Sequence, residues 1–315
     1  IGFMQDHPPG ANRNAPRNFR DARAIASRYP ARGPTRGMGI RDRHMESLVV
    51  LITCLALGVT VARIGQPPPS LAPGLNWWVL NIALPALILS IVPRLTLSVD
   101  LWYPVAAMWA VFLGGWGFFT LLGRALRWPA RRVGALTLVS GLGNTAFIGY
   151  PLIEALRGPG ALPVAAIADQ AGVFLALAVG GSFVAAYYAH GRVTPAMLAR
   201  KVLLFPAFLA LVAGLLIGRL GGLPPLAESV AARIGSTLVP LALFSVGLQL
   251  RIRLPGALWP AVAAGLSWKL VLAPAMTWAF ALLFGIAPGI ASITVLQAAM
   301  APMITAAILA QQHDL

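Results

Sequence analysis

The amino-acid sequence predicts an all-α polytopic membrane protein, and three observations indicate this class. Hydrophobic residues make up 58% of the 315 positions and charged residues only 10%, whereas soluble domains carry about 25% charged residues. The mean hydropathy is +0.77. Apolar runs of roughly 18 residues or more, long enough to cross a bilayer, recur along the chain. They predict nine transmembrane helices at residues 47–64, 71–92, 101–123, 132–156, 162–189, 201–220, 229–250, 257–284 and 289–311.

Cysteine, histidine and charge counts exclude several classes of function. The single cysteine, Cys54, excludes a disulfide framework and a cysteine metal cluster. We expect no metal site and no cofactor, because all four histidines fall outside the predicted helices: His7, His44, His190 and His313. The net charge of +15 comes from the tail and from short loops, which indicates membrane topology rather than nucleic-acid binding.

Lysine and arginine accumulate in cytoplasmic loops, and alternate connections of this chain differ strongly in these residues. The connections that are richer in lysine and arginine are expected to be cytoplasmic, which places the start of the first helix outside. The protein is accordingly predicted to lie in a cell membrane, of the bacterial inner membrane type. The richer set holds Arg63, Arg124, Arg127, Arg131, Arg132, Arg192, Arg200, Lys201, Arg251 and Arg253; the other holds Arg94, Arg157, Arg219 and Arg233.

Residues 1–44 form a basic tail with nine arginines, several prolines and glycines, and no apolar run. The loops place this tail outside, although so basic a segment resists export. It is either a disordered basic arm or a segment that does not belong to the mature protein. The second interpretation is favoured, because Met45 directly precedes the first predicted helix and has the position of a natural start.

A weak internal repeat relates the two halves of the chain at an offset near 155 residues. Residues 84–90 (LPALILS) align with residues 239–245 (VPLALFS). A five-helix unit repeated in tandem is inverted, because an odd number of crossings turns the second copy over. The sequence thus predicts a first repeat at 45–189 and an incomplete second repeat at 190–315. A partner for the fifth helix would lie beyond Leu315, so we expect a fragment without its final helix.

The fourth predicted helix contains the most informative stretch, residues 140–151 (SGLGNTAFIGYP). Glycine costs about 1 kcal/mol in a helix relative to alanine and proline about 3 kcal/mol, so we expect a break marked by Gly141, Gly149 and Pro151. Freed backbone groups are tolerated in a membrane where they line a cavity, and half-helix N-termini favour an anion there. The other interpretation is a glycine-rich packing kink. The ninth helix is expected to break around Pro302.

Polar residues at these breaks are the candidate substrate contacts. Asn144 and Thr145, with the backbone at Gly143, lie at the first break and can hydrogen-bond a carboxylate. Gln297 and Met300 are expected to face them from the ninth helix.

Two ionisable residues inside predicted helices are candidates for ion coupling, since such residues are costly in a membrane. Asp169 could accept a coupling proton or cation, could orient the broken fourth helix, or could be an interfacial aspartate bonded to a neighbouring helix. Lys269 could neutralise an anionic substrate or pair with Asp169. Alternatively, Lys269 snorkels to the interface with Trp268 in an aromatic belt.

The run 143–151 (GNTAFIGYP) resembles the Gly-Asn-Thr-Gly-Phe-x-Gly-x-Pro signature of the auxin efflux carrier family, whose bacterial members include malate permeases. Supporting resemblances lie at 81–86, 242–248 and 297–302, and the similarity covers about residues 45–315. Two departures are that Ala146 replaces the usual glycine and that the final helix is missing.

The resemblance implies ten helices in two inverted five-helix repeats. Helices one, two, six and seven would form a scaffold that often forms a homodimer. The others would form a moving transport domain with two broken helices crossing at its centre. The implied function is a permease, a secondary transporter of small organic anions such as carboxylates or auxin-like compounds, working by alternating access with a proton or sodium as coupling ion.

Other functions remain as alternatives. One alternative is another crossover-helix transporter, such as a bile-acid/sodium symporter-like or cation/proton antiporter-like protein. An antiporter needs paired acidic residues inside the membrane, and only Asp169 is available. An intramembrane enzyme would need a catalytic group, yet no HExxH, GxSxG or clustered acid pair is present. A channel is disfavoured by the repeat with broken helices.

Overall fold

The computed structural model describes residues 40–95, 98–189, 194–250 and 256–315, with side chains from residue 48 onward except at 257. Most of the basic tail, together with His190, Arg192, Arg251 and Arg253, lies outside these ranges. The interpretations of the tail, and the loop charges as a whole, therefore stay predictions.

Every regular element in the described ranges is helical, and consecutive helical turns are grouped here under one label. The helices are α1 Ile40–Ile64, α2 Leu71–Arg94, α3 Val99–Ala125, α4 Ala130–Gly141, α5 Tyr150–Arg157, α6 Pro159–Ala189, α7 Pro195–Leu203, α8 Pro206–Arg219, α9 Pro225–Gln249, α10 Trp259–Leu283, α11 Pro288–Ala298 and α12 Ile304–Gln312.

Five of these helices, α2, α3, α6, α9 and α10, are long and apolar enough to cross a membrane. The predicted multi-pass helical class is therefore confirmed. The apolar part of α1, Leu48–Ile64, and helix α11 are shorter. In place of the fourth and ninth predicted helices, the chain forms the interrupted pairs α4–α5 and α11–α12.

The sixth predicted helix, 201–220, is wrong as a single continuous helix. Helices α7 and α8 meet at an angle of 65°. Phe205, between them, has an extended backbone with φ −80° and ψ 115°. The physical reason is Pro206, because a proline disfavours the helical conformation in the residue that precedes it.

Two apolar clusters form the core, and the interrupted pairs connect them. One cluster centres on Phe112, Leu138 and Trp268, between α3, α4 and α10. The other centres on Ile88 and Tyr150, between α2, α5, α8 and α9. Both interrupted pairs contribute to each cluster, so their breaks lie between the two halves of the core.

Helices α1 and α9 cross at a pair of glycines, and this close contact predicts that a larger side chain there lowers the stability of the protein. A Cβ at Gly247 would lie 2.9 Å from the Cα of Gly58 and would also overlap the carbonyl oxygen of Leu55. We expect Gly247→Ala to lower stability by about 1–3 kcal/mol, because backbone cannot move aside cheaply. The matched control is Gly74→Ala in α2, where nothing lies within 4 Å of the added Cβ. Thermal unfolding in detergent should show a lower midpoint for the first variant only; equal midpoints would contradict the tight crossing.

Candidate functional site

The two helix breaks lie against each other and are joined by backbone hydrogen bonds. Helix α4 ends at Gly141, and Gly143 pairs with Pro302 in an isolated antiparallel bridge. The N–H of Asn144 donates to the carbonyl of Ala301 at 2.7 Å, and the N–H of Met303 donates to the carbonyl of Leu142 at 3.3 Å. These bonds satisfy backbone groups that the interrupted helices leave free and that lipid could not satisfy.

Gly143 lies where three predicted site residues converge. A Cβ at this position would lie 3.2 Å from Lys269 Nζ, 3.3 Å from the backbone oxygen of Gln297 and 3.5 Å from Met300 Cβ. The absence of a side chain at Gly143 therefore lets α10 and α11 approach the first break. Met300 is buried, and its N–H donates to the carbonyl of Gln297 at 3.3 Å.

Asn144 restarts the interrupted helix. Its Oδ1 accepts the backbone N–H of Phe147 at 3.0 Å, which is the N-capping bond that satisfies an orphan donor. The turn that follows, Thr145–Gly149, is π-helical and continues into α5, with Gly149 at its end and Pro151 as the second residue of α5. The side-chain oxygen of Asn144 is thus used within the protein.

Asp169 is anchored by three donors. Thr145 Oγ1 donates a short hydrogen bond to Oδ1, while Tyr150 donates to Oδ2 at 3.0 Å and Gln170 Nε2 donates to Oδ2 at 2.6 Å. All four side chains are at most 2% exposed. The carboxylate therefore ties α6 to the restart of the broken helix, and burial of Asp169 argues against an interfacial position.

Gln297 connects α11 to the helical turn that follows the first break and to α6. Its Nε2 donates to the carbonyls of Thr145 and Ala165, each at 3.4 Å. Its Oε1 lies against Gly149, where an added Cβ would overlap it, and has no hydrogen-bond partner among the described residues.

Lys269 is 2% exposed, and its Nζ has no hydrogen-bond partner in the described part of the chain. It forms no ion pair with Asp169; the ion pair found within the described ranges joins Arg94 and Glu228. The snorkelling interpretation also disagrees with the structure, because Trp268 is only 5% exposed and stacks on Phe118. Lys269 is therefore a buried amine beside the crossing.

Besides the π-helical segments Val79–Ala83 and Ala176–Gly181, which contain no site residue, three π-helical segments in the described ranges carry polar residues of the site. They are Thr145–Gly149, Ala168–Phe174 with Asp169 and Gln170, and Trp268–Leu272 with Lys269. Such segments account for well under 1% of residues in proteins and occur frequently at functional sites. Their convergence supports a functional role for this crossing. No group of three or more metal-ligating side chains occurs in the ranges that the structure describes.

Sequence reasoning missed Tyr150 and Gln170 as parts of the site. Gln170 had a signal, since it is a second polar residue beside Asp169 within an apolar helix. For Tyr150 the sequence carries no such signal, because it is the fold of the broken helix that brings its hydroxyl to Asp169.

The fold and the site define a class: multi-pass helical membrane proteins in which two interrupted helices meet, the arrangement known from secondary transporters. The chain belongs to the membrane transport protein family, whose model matches residues 44–315. This match confirms the resemblance to the auxin efflux carrier family.

Two archaeal proteins are similar to this chain. An uncharacterized transporter of Methanothermobacter thermautotrophicus is 27% identical over 282 residues, which cover 86% of this chain and 89% of that protein. An uncharacterized transporter of Methanocaldococcus jannaschii is 27% identical over 161 residues, covering 49% of this chain and 51% of that protein.

Proposed function

We propose that this protein is a secondary transporter of small organic anions, such as carboxylates or auxin-like compounds, and that it works by alternating access. The observation that carries the proposal is the buried side chain of Lys269, with Nζ beside the crossing of two broken helices. The helical turns that begin at Thr145 and Ile304 both start at this crossing. Helix N-termini favour negative charge, so they add to the attraction of Lys269 for an anion.

The substrate carboxylate would bind between Lys269 and the first break. The amide NH2 of Asn144 and the backbone N–H groups of Gly143 and Thr145 would supply donors, while Gln297 and Met300 would form the opposite wall. Gln297 Oε1 adds an unpaired acceptor for a hydroxyl or N–H of the substrate.

The architecture that we propose is two inverted repeats, 45–189 and 190–315. The antiparallel pairing of Gly143 with Pro302, at equivalent breaks of the two halves, supports this relation. Helices α2, α8 and α9 pack together and α1 crosses α9, which supports their role as a scaffold able to form a homodimer. The membrane would be the bacterial inner membrane, with the basic loops inside.

The function is tested by uptake into proteoliposomes. The purified protein should accumulate ¹⁴C-labelled lactate, malate or indole-3-acetate above the level of protein-free vesicles, and unlabelled compound should compete with the accumulation. Uptake of none of these anions by a folded protein would contradict the proposed substrate class.

Asp169 is proposed to take part in coupling by holding the broken helix rather than by carrying the ion. Asp169→Asn places an amide where three donors converge, and charge-assisted hydrogen bonds contribute about 1.5–3 kcal/mol each. We expect lower uptake and a lower unfolding midpoint, with an unchanged pH and sodium response of the residual uptake. Asp100→Asn is the matched control, because Asp100 accepts only an exposed backbone N–H from Ala287 at 3.3 Å. Loss of the ion response in a stable Asp169→Asn protein would instead make Asp169 the ion-carrying group.

A further inference from the structure

Within the described part of the chain, Lys269 has no hydrogen-bond partner, although the side chain is buried in the centre of α10. Nζ has neither a hydrogen-bond acceptor nor a carboxylate within the described ranges. It lies beside Gly143, where the two breaks pair through the bridge between Gly143 and Pro302.

The ionisable side chains on the surrounding elements are engaged elsewhere or lie at helix ends. Asp169 and Tyr150 bond each other, Tyr103 donates to the carbonyl of Thr277, and Asp100 accepts from Ala287. Helices α11 and α12 carry no titratable side chain. The remaining ones are Arg124 on α3, Arg131 and Arg132 on α4, Glu154 and Arg157 on α5, and Tyr187 and Tyr188 at the end of α6.

Asp169 and Lys269 therefore differ in how their charges are compensated. Three donors stabilise the carboxylate of Asp169 in every state that keeps them in place. An ammonium without an acceptor is costly in a low-dielectric interior. Two events would remove this cost at Lys269: an anion binds beside it, or the amine loses its proton.

We propose that Lys269 is the proton carrier of this transporter, uncharged when no anion is bound and protonated together with the bound anion. This inference rests on the proposed function and adds its coupling. The amine takes a proton from the water on the side from which the anion arrives, and the ammonium pairs with the carboxylate. On the other side the anion leaves and the proton returns to water. One proton crosses with each monovalent anion, so the cycle moves no net charge.

Transport under separate driving forces tests the stoichiometry. Proteoliposomes receive either a pH gradient or a potassium diffusion potential, and uptake of ¹⁴C-lactate and ¹⁴C-indole-3-acetate is measured. We expect an acidic exterior to drive initial uptake faster than in protein-free vesicles, which take up the neutral acids passively. Accumulation should approach about tenfold per pH unit at equilibrium for one proton, with no response of the protein-dependent rate to the potential. Uptake that follows the potential and ignores the pH gradient would overturn the proton role while leaving anion transport intact.

Variants at Lys269 distinguish the effect of its positive charge from its proposed role in carrying a proton. Arginine stays charged, so residual uptake by Lys269→Arg should respond to the potential and no longer to the pH gradient. Lys269→Met should lose uptake. A Lys269→Arg variant that keeps the wild-type pH drive would place the proton on another group.

A spectroscopic measurement reports whether the Lys269 amine is protonated, even where no uptake is measured. The chain has two lysines, Lys201 and Lys269, so [ε-¹³C]lysine labelling gives two signals that Lys201→Arg assigns. The Lys269 carbon should show the neutral-amine shift near neutral pH and the ammonium shift with saturating lactate or indole-3-acetate. An ammonium shift in protein without added carboxylate would overturn the proposal, and the neutral-amine shift would support it.

Discussion

Asn144→Ala is expected to lower carboxylate uptake at least about tenfold and to lower the unfolding midpoint. The variant removes the acceptor for the Phe147 N–H, a cap that contributes about 0.5–2 kcal/mol. It also removes the amide NH2 that is proposed to bind the anion, and a hydrogen bond to a charged group contributes about 1.5–3 kcal/mol. Since 1.4 kcal/mol corresponds to tenfold in affinity, the loss should be evident in proteoliposome uptake at low substrate concentration.

Two controls separate capping from binding. Thr194→Ala removes a helix cap far from the crossing, where Thr194 Oγ1 accepts the N–H of Met197 at 3.3 Å, and should leave uptake unchanged. Asn144→Asp keeps a capping oxygen but has no NH2 and adds negative charge, so it should retain more stability than Asn144→Ala and still lose uptake. Normal uptake by a folded Asn144→Ala protein would remove Asn144 from the site.

Gly149→Ala is expected to lower uptake about ten- to hundredfold, for a purely steric reason. Gly149 has φ −63° and ψ −52°, which alanine adopts readily. The added Cβ would lie 3.2 Å from Gln297 Cδ and would overlap Oε1. Overpacking of this kind costs about 1–3 kcal/mol, and relief requires Gln297 to leave the carbonyls of Thr145 and Ala165. Uptake and thermal unfolding measure the two effects.

The matched control is Gly160→Ala, a nearby glycine with nothing within 4 Å of an added Cβ, which should behave as the wild type. A double-mutant cycle tests the cause. In a Gln297→Ala background the Gly149→Ala change should have little further effect, because the overlapping amide is gone. Additive losses would show that Gly149 acts through another contact.

Much of the fold could be predicted because long apolar runs identify membrane helices without reference to their neighbours. Helices α2, α3, α6, α9 and α10 lie within a few residues of their predicted bounds. The α7–α8 bend was missed, since an apolar segment continues through Pro206 and hydropathy does not register a change of direction. The residues at the crossing could be listed in advance because Gly143, Asn144 and Pro302 interrupt apolar helices.

The membrane class, the family resemblance and the breaks in the fourth and ninth predicted helices follow from the sequence alone, because they depend on composition and on local backbone preferences. Tertiary packing, in contrast, sets the pairing of these two breaks through Gly143 and Pro302. It also decided that Asp169 has three donors while Lys269 has no partner among the described residues. These residues are separated by up to about 160 positions in the chain, and hydrogen bonds between such distant positions depend on ångström-scale packing that no local pattern encodes.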